Sequence, residues 1–183
     1  MTSTADTLIT ATLESIHRHG LEGTTVTTVT DLAGLSRGMV RHEFGSKQEM
    51  IVRAMERVCS DWTQATEPDP TLDGPSQVRA IVEAMFAPDV FQAPQIDAWL
   101  ALSVAATGND DLRRLRDRAQ ATWTNQLEQA LVRAGVDDAR TAALGLVASA
   151  DGLWLRHRLE GHSLGRADAL AAAIRVADAL LGS

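Results

Sequence analysis

The segment AGLSRGMVRHEFGSK, residues 33–47, predicts a tight turn followed by a short helix and a second turn. Gly34 breaks the chain, and Ser36 is placed to cap the short helix by accepting a hydrogen bond from a backbone N–H of its first turn. Gly45 ends this helix. Upstream, residues 25–33 carry apolar side chains at helical spacing and supply another short helix. Two short helices across a glycine-containing turn predict a helix-turn-helix, the unit that lays its second helix in the DNA major groove.

The second short helix is rich in hydrogen-bond donors. Arg37, Arg41 and His42 are candidates for contacts to base edges or to the sugar-phosphate beside them. Met39 offers an apolar contact to a thymine methyl group. Gly38 permits close approach of the helix to the groove. These side chains predict a recognition helix that reads DNA.

Phosphate contacts are predicted at two helix starts. Thr27 and Thr28 lie at the start of the first short helix, and Lys47 starts the helix that follows the motif, where Ser46 and Glu49 fit an S-x-x-E capping box. Backbone N–H groups at such starts favour anions. The predicted DNA-binding residues are Thr27, Thr28, Ser36, Arg37, Gly38, Met39, Arg41, His42 and Lys47.

This segment resembles the DNA-binding motif of the TetR (tetracycline-repressor-like) family, whose usual form runs T-V-x-x-I-A-x-x-A-G-V-S-x-G-x-x-Y-x-H/Y-F-x-x-K. Lys47, the only lysine of the chain, stands where the family places a phosphate-contacting lysine. The resemblance implies a DNA-binding transcriptional regulator. The matching positions are Thr25, Val26, Val29, Ala33, Gly34, Leu35 in place of Val, Ser36, Gly38, Phe44 and Lys47.

The chain departs from the family motif at three positions. Thr30 replaces the usual alanine, Arg41 stands at the tyrosine position, and Glu43 stands where His or Tyr is usual. Arg41 can contact either a phosphate or a base from there. Glu43 cannot hold a phosphate, whereas it can accept a hydrogen bond from cytosine.

Composition and charge favour an all-helical protein with a local basic face. The chain has 183 residues and a net charge of −7, enough length for one or two domains with a sizeable core. Residues 1–60 hold six basic and seven acidic residues, so most of the negative charge lies in residues 61–183. All five prolines fall within residues 68–94, and strand-like alternation is scarce. We expect weak non-specific DNA binding and reliance on a dimer.

Other features predict a cytoplasmic protein without cofactor, metal or catalytic site. Cys59 is the only cysteine, so no intrachain disulfide is possible. No apolar run approaches the ~18–20 residues of a membrane span, and residues 1–10 lack a signal-peptide pattern. The histidines lack neighbours at metal-ligand spacing, and no catalytic constellation is visible. We therefore do not expect an enzyme.

The predicted architecture is all-α, with about nine helices. Residues 1–48 form an N-terminal three-helix helix-turn-helix DNA-binding domain, and residues 49–183 a helical ligand-binding and dimerisation bundle. A helix predicted from about residue 138 to residue 159 is apolar nearly all the way round from Ala142 to Leu155, and this part requires cover on every side.

That helix and the last one are predicted to pair with a second copy in an intermolecular four-helix bundle. The alternative is a buried central helix of a monomer. A two-fold pair of recognition helices could engage a palindromic operator with half-sites about 34–36 Å apart. The predicted interface residues are Leu144, Val147, Ala148, Leu155, Leu170, Ile174, Ala177 and Leu181.

The C-terminal two-thirds resembles the BetI-like branch of the same family. The resembling segments are RAIVEAMF from residue 79, AWLA from residue 98, DLRRL from residue 111 and DGLWLR from residue 151. The resemblance implies a small inducer bound between helices, which releases DNA; the prototype of the branch responds to choline.

Four tryptophans in this region suggest chemistry for a cationic effector. Aromatic rings around a carboxylate bind quaternary ammonium groups through cation–π attraction and charge. Asp151 is the candidate carboxylate, because its sequence neighbours in the predicted helix are apolar. The alternative is that the tryptophans only form core and Asp151 bonds a neighbouring helix. A protein that has lost DNA binding and serves as a helical ligand-binding scaffold is the second functional reading. The predicted pocket residues are Cys59, Trp62, Met85, Trp99, Trp123, Asp151 and Trp154.

Overall fold

The computed structural model describes residues 3–160 and 163–182, and within those ranges the chain forms nine α-helices and no β-strand. The prediction of an all-α fold with about nine helices is confirmed for this part of the chain. The helices are α1 (Thr4–Gly23), α2 (Val26–Ala33), α3 (Arg37–Phe44), α4 (Lys47–Ala65), α5 (Gly74–Ala84), α6 (Ala93–Ala105), α7 (Asp110–Arg133), α8 (Ala139–Leu159) and α9 (Arg166–Leu181).

Backbone contacts divide the chain into two compact units. The first unit comprises Met1–Ser60 and Ala93–Arg116, and the second comprises Asp61–Gln92 and Asp117–Ser183. Helices α4 and α7 therefore contribute residues to both units. The domain boundary expected after residue 48 is a different division and stays a prediction.

The first unit contains a small apolar core built from α1 to α4. Leu8, Val29, Val40 and Met50 supply one residue from each helix, and each is at most 2% exposed. Val40 is the one residue of α3 that is buried. The other apolar residues of α3, Met39 and Phe44, are only partly buried, so most of the surface of this helix is left to solvent. Partly buried side chains pack around this core: Val26, Leu32, Ala33, Leu35, Met39 and Phe44.

Three glycines with positive φ define the turns of the first unit. Gly34 ends α2 in the left-handed region at φ 66° and ψ 31°, and Gly45 ends α3 at φ 75°. Gly20 is a non-helical kink within α1 at φ 68° and ψ 175°. Glycine adopts such angles without the steric cost of a Cβ, which explains the breaks at these positions.

The helix caps differ in part from the prediction. Ser36 is the N-terminal cap residue of α3 by its extended backbone, but its side chain makes no capping hydrogen bond. This corrects the predicted role, because Ser36 is exposed and water can satisfy the first N–H groups of α3. Ser46 does cap α4, with its Oγ accepting from the Glu49 N–H at 3.1 Å. The other half of the predicted capping box, a hydrogen bond from the Ser46 N–H to the Glu49 carboxylate, is not formed, since this carboxylate pairs with Arg53 at 3.1 Å.

One polar contact accompanies the helix packing described here in each unit. In the first unit α1 packs against α6, and His17 Nδ1 lies 2.6 Å from the Asp97 carboxylate. In the second unit α9 packs against α5 and α8, with Arg79 Nε donating to Asp178 at 2.7 Å. No helix in residues 3–160 and 163–182 has both the length and the apolar character that crossing a membrane requires.

Gly74 is the point of closest backbone approach in the second unit. A Cβ added there would lie 2.6 Å from Ala134 Cα and would also overlap the Arg133 backbone. The neighbouring Gln77 is fully buried, donates to the Asp69 carbonyl oxygen at 2.7 Å and accepts from Arg133. The start of α5 therefore has no space for a larger side chain.

Gly74→Ala is expected to lower the free energy of unfolding by roughly 1–3 kcal/mol, because the methyl group overpacks a closed backbone contact. Urea unfolding followed by circular dichroism measures this change. Gly108→Ala is the matched control, since a Cβ at Gly108 meets no atom within 4 Å and its φ is not positive. Equal stability of the two variants would contradict the close packing at Gly74.

Candidate nucleic-acid interface and aromatic cluster

The exposed faces of α3 present its predicted contact residues to solvent. Arg37, Arg41 and His42 are all exposed, while Val40 between them points into the core. The His42 side chain is 76% exposed, and its Nδ1 lies 3.2 Å from a carboxylate oxygen of Glu43. The helix thus turns three donors away from the protein, as a recognition helix requires.

Arg37 and Arg41 meet Lys47 around one surface depression of about 270 Å³, here called the basic depression. Its other lining residues are Val26, Val40, Gly45 and Ser46. Three positive charges around one concave site create a local potential that favours anions. In the part of the chain that the structure describes, no carboxylate pairs with any of these three cations.

Met39 and Thr28 have structural roles that limit their availability to DNA. Met39 is partly buried and packs against the core of α1 to α4, so its side chain is not fully free for the predicted thymine contact. The Thr28 hydroxyl accepts from the Thr25 N–H at 2.8 Å, and Thr25 caps the Thr28 N–H in return. Thr27 is partly exposed in the first turn of α2 and remains a candidate phosphate contact.

Sequence reasoning missed a buried hydroxyl network beneath α2. Ser15 Oγ of α1 donates to Thr24 Oγ1 at 3.2 Å and lies 3.1 Å from Thr28 Oγ1. Thr24 Oγ1 in turn donates to the Gly20 carbonyl oxygen at 2.8 Å. The network joins the kinked end of α1 to the start of α2. The T-x-x-T spacing of residues 25–28 was a detectable signal, with threonine in the place of the usual Glu or Gln of a capping box.

At Gly38 nothing in the protein itself requires a glycine. Its φ is not positive, and an added Cβ would meet only Ser36 Oγ at 3.8 Å. A requirement for glycine at this position would therefore come from a surface that approaches α3 from outside. Close approach to the groove stays a prediction.

Three of the four tryptophans come together in the second unit. The Trp62 and Trp154 ring centroids are 4.4 Å apart, and Trp123 lies 5.8 Å from Trp62 and 6.5 Å from Trp154. Phe86 adds a fourth ring at 6.3 Å from Trp154, and Phe91 a fifth at 5.5 Å from Phe86. We call these five residues the aromatic cluster. Its rings are in direct contact with one another and form core packing.

The indole N–H groups of this cluster differ in their hydrogen bonding. Trp123 Nε1 donates to Thr63 Oγ1 at 3.2 Å. Trp154 Nε1 is buried without an acceptor among residues 3–160 and 163–182. A buried donor without an acceptor costs free energy, which makes the edge of the Trp154 ring a place where a polar ligand atom would be favourable.

The remaining predicted pocket residues divide between the two units. Asp151 is on α8, three residues before Trp154 and therefore on the same helix face, and accepts from Gln120 Nε2 at 3.0 Å. Met85 is buried in the second unit. Cys59 and Trp99 are buried in the first unit. Membership of all seven residues in one pocket stays a prediction.

The Cys59 thiol is not reactive in this environment. Burial, with a smaller contribution from the nearby Glu56 carboxylate, raises the pKa of its thiol to about 12. The side chain is therefore a neutral thiol near neutral pH and not a nucleophile. Within the described ranges no cluster of three or more His, Cys, Asp or Glu side chains is arranged to hold a metal ion.

The sequence analysis did not identify Phe86 and Phe91 of the aromatic cluster, or His157 beside it, as candidate site residues. The His157 ring is 4.6 Å from Phe91, and its Nδ1 lies 2.7 Å from the Leu164 carbonyl oxygen. His157 follows Trp154 by three residues, so helical spacing was the one signal that placed both on the same face.

An apolar surface follows α8 and α9. Leu144 and Leu155 are 50% and 42% exposed, Leu159 is 75% exposed, and Val176 of α9 is 38% exposed. The predicted interface is corrected at Val147 and Ala177, which are 5% and 0% exposed because they face the protomer's own core. The other predicted interface residues are exposed or partly exposed: Leu144, Ala148, Leu155, Leu170, Ile174 and Leu181.

Two family models match the chain. Residues 8–54 match the model described as bacterial regulatory proteins, tetR family. Residues 75–182 match the model described as BetI-type transcriptional repressor, C-terminal. A curated relative, the HTH-type transcriptional regulator BetI of Burkholderia ambifaria, is 38% identical, and the alignment covers 96% of this chain and 93% of the relative.

Solved structures show the same fold. A transcriptional regulator from Rhodococcus sp. Rha1 aligns with a TM-score of 0.87 at 23% identity, over 98% of this chain and 97% of that one. A regulator from Saccharomonospora viridis, crystallised in complex with choline, aligns with a TM-score of 0.82 at 18% identity over 93% of both chains.

Proposed function

The chain belongs to the TetR family of bacterial transcriptional regulators, and we propose that it represses transcription by binding a palindromic operator as a homodimer that a small cation releases. It is a DNA-binding transcriptional regulator with a ligand-binding C-terminal domain, and not an enzyme.

The observation that carries the proposal for DNA is the arrangement of α3. Val40 anchors the helix, so Arg37, Arg41 and His42 face outward, and Lys47 adjoins two of them around the basic depression. Donors on an exposed helix can reach base edges, while a basic site beside it can hold the phosphate backbone. We infer that Arg37 and His42 reach base edges and that Lys47 and Thr27 contact phosphates.

The exposed apolar surface of α8 and α9 supports a homodimer. Leu144, Leu155 and Val176 offer side chains that favour burial against a second copy, and the exposed Gly145 and Gly152 of α8 allow close helix approach. Two copies related by a two-fold axis would bring two recognition helices to two half-sites.

We infer that the effector carries a quaternary ammonium group. Support comes from the concentration of Trp62, Trp123 and Trp154 in the second unit, from Asp151 one turn before Trp154 on α8, and from the choline complex of one structural neighbour. Because the three rings pack directly on one another, the cation would bind beside the cluster and not between its rings. Aromatic faces and a carboxylate attract such a cation. For release, the effector must bind the DNA-free conformation more tightly than the DNA-bound one. We propose that a shift of α4, which carries both Lys47 and Trp62, links the two events.

A regulator of this type acts on chromosomal DNA, so we infer a cytoplasmic location. The alternative of a ligand-binding scaffold that has lost DNA binding rests on Glu43, which occupies a position where His or Tyr is usual in the family, and on the absence of tyrosine from the sequence. The operator experiment below separates the two functions.

Arg37→Ala is expected to weaken operator binding by about 10- to 100-fold, the effect of losing one good base contact. Fluorescence anisotropy with duplex DNA from upstream of the gene, over a salt series, measures this. Arg114→Ala is the control, because Arg114 is an exposed arginine of α7 outside both the motif and the proposed dimer interface. Absence of sequence-dependent binding by the unmodified protein, even at low salt, would favour the scaffold.

Leu155→Asp is expected to convert the dimer to monomer at micromolar concentration, because it places a charge in the apolar interface. Analytical ultracentrifugation measures the association. Val132→Asp on α7 is the matched control, since Val132 is 61% exposed and lies outside the proposed interface. The proposed interface is wrong if Val132→Asp separates the subunits and Leu155→Asp does not.

Choline at about 100 times its dissociation constant is expected to raise the melting temperature by roughly 5–10 °C. Its uncharged carbon isostere, 3,3-dimethylbutan-1-ol, is expected to have little effect, because it lacks the charge that Asp151 and the indole rings attract. Asp151→Asn should reduce the choline shift. A shift with the uncharged compound alone would overturn the quaternary-ammonium proposal.

A further inference from the structure

We propose that Trp154 determines which cations act as effectors, because its indole N–H pairs with an oxygen atom that the effector carries near its cationic nitrogen. The inference rests on the quaternary-ammonium effector of the proposed function and adds a requirement to it. A hydroxyl, ether or carbonyl oxygen meets this requirement. A quaternary ammonium ion that carries only hydrocarbon groups does not.

The Trp154 indole N–H is a buried donor without a partner. The residue is 2% exposed, and its Nε1 has no acceptor among residues 3–160 and 163–182. An indole N–H can only donate, so the group that satisfies it must be an acceptor. Because a buried donor is removed from bulk water, a ligand oxygen beside it forms a hydrogen bond that is not otherwise made.

Two other ring N–H groups of this region are already engaged. Trp123 Nε1 donates to Thr63 Oγ1 at 3.2 Å, and His157 Nδ1 lies 2.7 Å from the Leu164 carbonyl oxygen. The two phenylalanine rings of the aromatic cluster carry no polar side-chain atom. An incoming acceptor can therefore pair with Trp154 without breaking either of these hydrogen bonds.

Asp151 places a negative charge one helical turn from Trp154. The two residues are three apart on α8, a spacing that puts their side chains on the same face with Cβ atoms about 5–6 Å apart. The Asp151 carboxylate is positioned by Gln120 Nε2, which donates to it at 3.0 Å. A cation that binds at this carboxylate brings an oxygen two carbons from its nitrogen within reach of the Trp154 N–H.

The packing of the rings directs an oxygen, and not the cation, to the edge of Trp154. The Trp62 and Trp154 centroids are 4.4 Å apart, which leaves no space for a cation between these two rings. Trp123 meets Trp154 edge-on, at an interplanar angle of 87°. The edge of an aromatic ring carries partial positive charge, and the N–H is its most polar part. An electronegative atom is therefore the part of the effector that fits there.

Two isosteric cations test the requirement on the unmodified full-length protein. (2-Methoxyethyl)trimethylammonium has an ether oxygen where n-butyltrimethylammonium has a methylene group, and the two are otherwise alike in charge and shape. The ether is expected to bind about 5- to 20-fold more tightly, the effect of one hydrogen bond to a buried donor. Isothermal titration calorimetry measures both affinities. Equal affinities, or tighter binding of the hydrocarbon cation, would overturn the inference.

Two variants separate the hydrogen bond from the charge. Trp154→Phe keeps an aromatic ring and removes the N–H, so the two cations are expected to bind it within about 2-fold of each other. Asp151→Asn is the matched comparison, because it removes the charge and keeps the N–H. It should weaken both cations by the same factor and retain the preference for the ether. An undiminished preference for the ether in Trp154→Phe would contradict the assignment.

The indole N–H signals of the unmodified protein give an independent readout, so the test does not depend on the folding of Trp154→Phe. The chain has four tryptophans, and in nitrogen–proton correlation spectra the ether should move one indole proton signal downfield. The hydrocarbon cation should not, since it offers no acceptor. The absence of such a shift at saturating ether would also overturn the inference.

Circular dichroism confirms that each variant is folded before titration. Failure of choline and of both test cations to bind would overturn the quaternary-ammonium effector of the proposed function, and the inference with it. Binding of choline and of both test cations, with no preference for the ether, would overturn only the role of Trp154.

Discussion

The burial of Val40 is the contact on which the rest of the DNA-binding surface depends. It is 2% exposed and is the one buried residue of an eight-residue helix. Such a short helix is not stable by itself, so its orientation comes from packing against Leu8, Val29 and Met50 of three other helices. Val40, together with the partly buried Met39 and Phe44, sets the rotation of α3, and the direction of every exposed donor on that helix follows from this packing.

The turns of the first unit were predictable because their chemistry is local. Gly34 and Gly45 end their helices at positive φ, an angle that glycine adopts without strain. The absence of a capping hydrogen bond from Ser36 was not predictable in the same way, since an exposed hydroxyl can bond to water instead of the backbone. The packing of Met39 against the core was not predicted from the sequence either, because the pattern of an eight-residue helix with few apolar residues does not define its buried face.

The three-dimensional grouping of the tryptophans in the candidate effector region could not be predicted from the sequence. The residue type of Trp62, Trp123 and Trp154 was informative, but only the fold shows that these rings meet while Trp99 is buried in the other unit. The sequence of α8 leaves a similar question open, because a helix that is apolar on all sides does not show which side faces its own core. The fold directs Val147 inward and leaves Leu144 and Leu155 on the surface, a distinction that periodicity alone does not make.

The placement of the aromatic side chains has an optical consequence. The chain has four tryptophans and no tyrosine, and the tryptophans lie on α4, α6, α7 and α8. Helices α1, α2 and α3 therefore contribute essentially nothing to the intrinsic ultraviolet emission of the protein. After correction for light absorbed by the DNA, a change in that emission when an unlabelled duplex is added reports a change in the surroundings of the tryptophans on α4, α6, α7 or α8, without any need for an introduced probe.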